Sequence, residues 1–232
     1  MVINGAGTSG LDTVTGVLME PAPGCRADNE RMLSTLKVNR SDMTELDFGV
    51  ITSVAGGGQV DVNYNTFDRV GLPLTIIDAG QSTTVLSNTF NYNDVPGYPE
   101  STGLGTTAVV IASTSKSPSK NSTTLKSNTF KDAGASSAGY GILTGQQGSS
   151  IAHTMLVSAN TFNGNAANAA GAGLAAIDTN DGLVSGNRFS SKAGTWVDIS
   201  SGSAASGLVG GSVSGWAIVA NDFGASQAST DI

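Results

Sequence analysis

A six-residue phrase recurs along this chain, and it restricts the fold more than any other feature. Val62-Asn63-Tyr64-Asn65-Thr66-Phe67, Val85-Leu86-Ser87-Asn88-Thr89-Phe90 and Leu125-Lys126-Ser127-Asn128-Thr129-Phe130 align without gaps. Val157-Ser158-Ala159-Asn160-Thr161-Phe162, Val184-Ser185-Gly186-Asn187-Arg188-Phe189 and Ile218-Val219-Ala220-Asn221-Asp222-Phe223 follow, and a degenerate copy, Val38-Asn39-Arg40-Ser41-Asp42-Met43, comes first. From Met43 to Phe223 the final apolar residues are spaced by 24, 23, 40, 32, 27 and 34 positions. A spacing with a firm minimum and a wandering maximum describes a constant strand skeleton with loops of variable length. Packed helical repeats would hold the period more tightly.

Between the copies lies a second set of short apolar alternations: Gly16-Val17-Leu18-Met19, Phe48-Gly49-Val50-Ile51, Leu74-Thr75-Ile76-Ile77, Val109-Val110-Ile111, Gly141-Ile142-Leu143, Ala175-Ala176-Ile177 and Trp196-Val197-Asp198-Ile199. β-Branched residues dominate them, and Gly, Ser, Asn and Asp bound them, so they read as strands. Each coil of such a chain buries its apolar side chains only against the coils above and below, at the ~4.8 Å strand separation of a sheet. Like residues then stack. Asn suits the sharp bend between two strands because it tolerates the left-handed backbone region and bonds neighbouring backbone groups with its amide. Phe two positions later points inward.

The pattern resembles the pectin-lyase-like superfamily of right-handed parallel β-helices, whose coils have three strands and often an Asn ladder at one bend. The resemblance spans nearly the whole chain. It implies an all-β solenoid of about seven coils, with Asn65, Asn88, Asn128, Asn160, Asn187 and Asn221 as the ladder and stacked Phe beside it. In its terms Val85 to Ser87 is second strand, Thr89-Phe90 third strand, and Ala108 to Ala112 the first strand of the next coil. Residues 1–232 then form a single domain, expected to be a segment of a longer β-helix. Val2-Ile3-Asn4 reads as a strand already in progress, and Ser229-Thr230-Asp231-Ile232 as a first strand beginning. Uncapped ends of that kind call for flanking domains or an oligomer.

Composition narrows the partners. With 39% hydrophobic residues the 232-residue chain can bury a core, while 31 Gly and 12% charged residues favour turns over long helices. The net charge of -7 and the scattering of basic residues from Arg26 to Lys192 argue against nucleic acid. No run approaches the roughly 18 apolar residues of a membrane span. Cys25 is the only cysteine, which excludes an intrachain disulfide and a multi-cysteine zinc site.

Several motifs invite functional readings. Gly5-Ala6-Gly7-Thr8-Ser9-Gly10 matches a dinucleotide fingerprint but lacks the helix that the fingerprint needs, so it reads as a turn. Asp178-Thr179-Asn180-Asp181-Gly182 resembles a calcium loop with the wrong acidic spacing. It reads as a strand turn, with room for a lone surface calcium ion near Asp178 or Asp181, and no other cofactor is expected. His153 lacks an orienting partner nearby in sequence.

Enzymes of the resembled superfamily work on the first-strand face and the loops entering it. The carboxylates expected there are Asp68, Asp94, Asp132, Asp178 and Asp198, and the aromatics for sugar stacking are Tyr92, Tyr98 and Trp196. Two carboxylates about 5 to 9.5 Å apart would serve glycoside hydrolysis. Arg69 and Lys131 are the candidates for a lyase base, though each has an Asp neighbour to pair with. The paired Asp and Gly-His-Gly signatures of polygalacturonases and the Asp-Pro-His signature of alginate epimerases are missing from the sequence. The reading favoured is therefore a non-catalytic module of an extracellular, cell-surface or virion protein, adhesin- or tailspike-like, that binds a polysaccharide or cell-surface glycan. A polysaccharide-degrading hydrolase or lyase and a purely structural spacer are the alternatives.

Overall fold

In the computed structural model the described residues are 1–4, 15–19, 35–53, 58–77, 82–91, 107–113, 120–131, 140–146, 152–163, 172–177, 181–189, 195–200 and 213–224. They are all-β. The first strands are β1 (Val2–Asn4), β2 (Thr15–Met19), β3 (Thr35–Asn39) and the long β4 (Asp42–Ser53); β5 (Gln59–Asn63) and the equally long β6 (Thr66–Ile77) repeat the last two. Three-strand repeats follow: β7 (Ser82–Leu86), β8 (Thr89–Asn91) and β9 (Val109–Ser113), then β10 (Lys120–Lys126), β11 (Thr129–Lys131) and β12 (Tyr140–Gln146). β13 (Ala152–Ser158), β14 (Thr161–Asn163) and β15 (Ala172–Ile177) come next, then β16 (Gly182–Ser185), β17 (Arg188–Phe189) and β18 (Thr195–Ser200), and last β19 (Trp216–Val219).

The strands form two long parallel sheets, which give the molecule a solenoid-like build. A seven-stranded sheet runs β3-β5-β7-β10-β13-β16-β19. A twelve-stranded sheet runs β17-β14-β11-β8-β6-β9-β12-β15-β18, with β4 paired to β6 and carrying β1 and β2. β6 joins the two arms because it has two legs: Thr66–Asp68 pair with Thr89–Asn91, and Leu74–Ile77 pair with Val109–Ala112. Arg69 (φ 52°) and, one strand earlier, Glu45 (φ 56°) adopt left-handed backbone where the legs meet. The third strand and the following first strand, separate in the sequence reading, are thus continuous in β4 and β6.

Alternation decides which side chains go inside. In Gln59-Val60-Asp61-Val62-Asn63 the two valines are fully buried and the polar residues face out. Parallel register then stacks Val38, Val62, Val85, Leu125, Val157, Val184 and Ile218 in one column. Phe67, Phe90, Phe130, Phe162 and Phe189 form another, with rings 4.7–5.0 Å apart and within 8° of parallel.

The asparagines form a continuous hydrogen-bonded row. The backbone N–H and Nδ2 of Asn88 both donate to Oδ1 of Asn128 at 2.9 and 3.0 Å, and Nδ2 of Asn128 donates to the Val85 carbonyl at 2.8 Å. The same three bonds recur from Asn65 to Asn88, Asn128 to Asn160, Asn160 to Asn187 and Asn187 to Asn221. An interior Asn therefore uses both amide hydrogens and accepts two bonds at its oxygen. The left-handed conformation, expected on Asn itself, lies one residue earlier, at Tyr64, Ser87, Ser127, Ala159, Gly186 and Ala220. The amide has a better use: a buried Asn fixed in the row satisfies backbone groups of adjacent layers, while the preceding residue, exposed or half-buried, absorbs the bend.

Threonines interrupt the apolar columns, among them Thr52, Thr83, Thr123 and Thr144. Thr52 and Thr144 are wholly buried and Thr83 is 1% exposed, and none of their hydroxyls has a hydrogen-bond partner. Thr144 sits between Ile111 and Ala176. An unpaired buried hydroxyl costs about 1–3 kcal/mol, and valine keeps the shape while removing the cost. Thr144→Val is expected to stabilise the protein by about 1 kcal/mol, seen as a higher denaturant midpoint; an unchanged or lower midpoint would refute it.

Candidate functional site

Of the five candidate carboxylates, Asp68 and Asp198 are described; Asp94, Asp132 and Asp178 lie outside the described residues, as do Tyr92 and Tyr98. Asp68 ends the first leg of β6. Asn91 Nδ2 donates to its Oδ1 at 3.3 Å, and Arg69 Nε lies 3.6 Å from its Oδ2. Arg69 also pairs through Nη2 with Glu45 at 2.5 Å, which places it between two carboxylates as a structural clamp over the corner of the two long strands. The pairing with an Asp neighbour expected for Arg69 is thus present, at the surface. Lys131 is exposed at the end of β11, in register with Asn91 and Asn163.

Asp198 is exposed on β18, in register with Ala175. Along β6-β9-β12-β15-β18 it is four strand steps from the strand of Asp68, roughly 19 Å at ~4.8 Å per step. These two carboxylates cannot share a glycosidic bond, which needs about 5 to 9.5 Å between them. Trp196 calls for a correction of a different kind. It is 2% exposed, and its ring lies 5.6 Å from that of Phe189 at 44°. Its ring is part of the core and presents no face to a sugar. It takes the place after Gly173 in the Gly141–Gly173 column, one layer beyond a position where a Cβ would lie 3.0 Å from the Phe189 ring.

Asp181 is exposed, with φ 59°, immediately before β16, while residues 178–180 lie outside the described residues. Among the described residues no three His, Cys, Asp or Glu side chains are grouped so as to hold a metal ion. The backbone of His153 pairs with Asn121 in the seven-stranded sheet. Gly5 to Gly10 and Cys25 lie outside the described residues. No helix among the described residues is long and apolar enough to cross a membrane.

What the sequence reading passed over is the outer face of the seven-stranded sheet. Register aligns Thr35, Gln59, Ser82, Ser122 and Thr154 in one outward column and Lys37, Asp61, Thr84 and Thr124 in the next. A third holds Asn39, Asn63, Leu86 and Lys126. Thr84 Oγ1 donates to Asp61 Oδ1, and Asn63 Oδ1 accepts the Leu86 N–H at 3.1 Å. Hydroxyl, amide and paired charged groups thus repeat at the strand spacing over a broad face. Toward β16 and β19 the same face becomes apolar, with Leu183 37% and Val219 49% exposed. The signal is present in the sequence as the polar half of each alternation.

Comparison with protein-family models, curated proteins and solved structures found no match to this chain. Its class therefore rests on its own residues: an all-β, parallel, solenoid-like protein with a polar strand face.

Proposed function

We propose that this chain is a segment of right-handed parallel β-helix of about seven coils, related in build to the pectin-lyase-like superfamily, that acts as a non-catalytic glycan-binding module on an extracellular, cell-surface or virion protein. The observation that carries this reading is the outer face of the seven-stranded sheet, where Thr35, Gln59, Ser82, Ser122, Thr154, Thr84, Thr124, Asn39 and Asn63 offer donors and acceptors in registered columns. Sugar hydroxyls are matched by such groups, and the Asn row at the ends of these strands holds their spacing fixed, which lowers the ordering cost of binding. Among the described side chains of the face Lys37 and Lys126 are offset by Asp61 and Asp181, while the whole chain carries -7. Neutral polysaccharide therefore fits better than a polyanion.

The test is binding of the whole chain to a glycan array and to insoluble polysaccharides. Binding to neutral glycans is expected, and the Ser122→Glu, Thr124→Glu double variant should weaken it at least about tenfold, or 1.4 kcal/mol. Absence of carbohydrate binding together with tight binding to a protein would overturn the proposal.

A further inference from the structure

The outward side chains of the seven-stranded sheet change character along the molecule. Over β5, β7 and β10 the second outward column holds Asp61, Thr84 and Thr124; over β13, β16 and β19 it holds Leu156, Leu183 and Ala217. Leu183 is 37% exposed, Ala217 is exposed and Leu156 is half-buried, with Val219 beside them at 49%. At Leu156 and Leu183 the apolar stripe is one residue wide. Thr154 and Asp181, which immediately precede the registered pair Met155 and Gly182, lie exposed on one side of it, and half-buried Ser158 and Ser185 lie on the other.

The width of the stripe selects its occupant. A stable protein interface covers about 800 Å² on each partner around an apolar centre, whereas polar groups flank these two leucines within roughly 7 Å along each strand. An apolar peptide or acyl chain laid here would bury those groups unpaired. A single methyl group covers the leucines and leaves the flanking groups to bond its neighbours. The flanks differ in chemistry. The serine hydroxyls donate or accept, while the carboxylate of Asp181, set against Gly215 on a left-handed backbone, only accepts. An acetamido group supplies the complementary set: a methyl for Leu156 and Leu183, an N–H for Asp181, and a carbonyl oxygen for Ser158 or Ser185. Its trans amide points N–H and C=O to opposite sides. An acetyl ester has no N–H to give. We therefore infer that the glycan taken by this face contains N-acetylhexosamine units, with the acetamido group of one unit seated on Leu156 and Leu183. The inference rests on the glycan-binding reading above and narrows it.

The test is calorimetric binding of the whole chain to two matched probes, a chito-oligosaccharide and a cello-oligosaccharide of equal length. Both are neutral and share their linkage, and each sugar differs only in an acetamido group against a hydroxyl. The wild-type chain should bind the N-acetylated probe about tenfold more tightly, the low end of what one methyl-sized group gains in an apolar pocket. In Leu183→Ser and in Leu156→Ser the ratio of the two affinities should fall to about one. The ratio is the readout because a loss of folded protein lowers both affinities alike. Equal or weaker binding of the N-acetylated probe by the wild-type chain overturns the inference and leaves the glycan reading in place. A preference that survives both substitutions overturns it too. Binding to neither probe also overturns it, and the glycan array then decides the wider reading: another glycan bound keeps that reading, and none ends it.

Discussion

Replacing Asn128 with Ala is expected to destabilise the protein by about 4 kcal/mol, whereas Asn221→Ala should cost only about 1 kcal/mol. The difference follows from position in the row. Asn128 is 1% exposed, and its loss strands the Asn88 N–H, one Asn88 Nδ2 hydrogen and the Val85 carbonyl inside the molecule. Each group left unpaired in a dry interior costs about 1–3 kcal/mol, and no water can reach them without opening the stack. Asn221 supports Asn187 in the same way, but it is only partly buried, and solvent can replace its amide. Asn128→Asp should fare little better than Ala. The carboxylate keeps the acceptor for Asn88 but faces the Val85 carbonyl and Asn160 Oδ1 without a hydrogen to give. Because each layer of a solenoid touches only its neighbours, amide exchange should show the loss concentrated around residues 85–90 and 125–130. Equal losses for Asn128 and Asn221 would mean that the row does not carry the energy assigned to it.

The fold was legible because the phrase Asn-x-Phe repeats with its flanking alternation. Register then follows without choice, since a slip of one residue would move every valine of the seven-stranded sheet into water. The bend was only half legible. Sequence showed an Asn at six of the seven turns, with Ser41 at the first, but not that the residue before it takes the left-handed conformation, because Tyr64, Ser87 and Ala159 have nothing in common that marks them for it. Sites were less legible still. Trp196 looks like a sugar-stacking aromatic when counted by its place in a first-strand segment, yet it stands in the column of Gly141 and Gly173 and its buried ring packs on Phe189. Arg69 and Asp68 read as catalytic candidates from their neighbourhood in sequence; Glu45, 24 residues earlier in the chain and adjacent through register, ties the arginine down. Function depends on such pairings between layers, and a linear reading sees only neighbours along the chain.

Phe162→Ala should be the costliest single truncation in the aromatic column, at about 4 kcal/mol. The side chain is 1% exposed, and its ring is stacked at 4.7 Å against both Phe130 and Phe189. Truncation forfeits the transfer energy of the ring and leaves a cavity between two rigid layers, and it breaks two stacked pairs worth about 0.5–1.5 kcal/mol each beyond area. Phe162→Leu should lose about half as much, since it refills most of the volume and gives up the stacking. Phe223→Ala, at the partly exposed end, should lose less than either. The ring also explains a glycine. A Cβ on Gly141 would lie 2.9 Å from the Phe162 ring and 2.6 Å from the Gly173 carbonyl oxygen. Gly141→Ala is therefore expected to cost about 1–3 kcal/mol by overpacking. With Phe162 truncated, the ring part of that clash disappears while the carbonyl part stays, so the double variant should be more stable than the sum of the two losses predicts. Chemical denaturation of the four proteins measures this coupling directly. Strict additivity would show that Gly141 is required by the neighbouring backbone alone, and that the aromatic column and the glycine column are independent features of the stack.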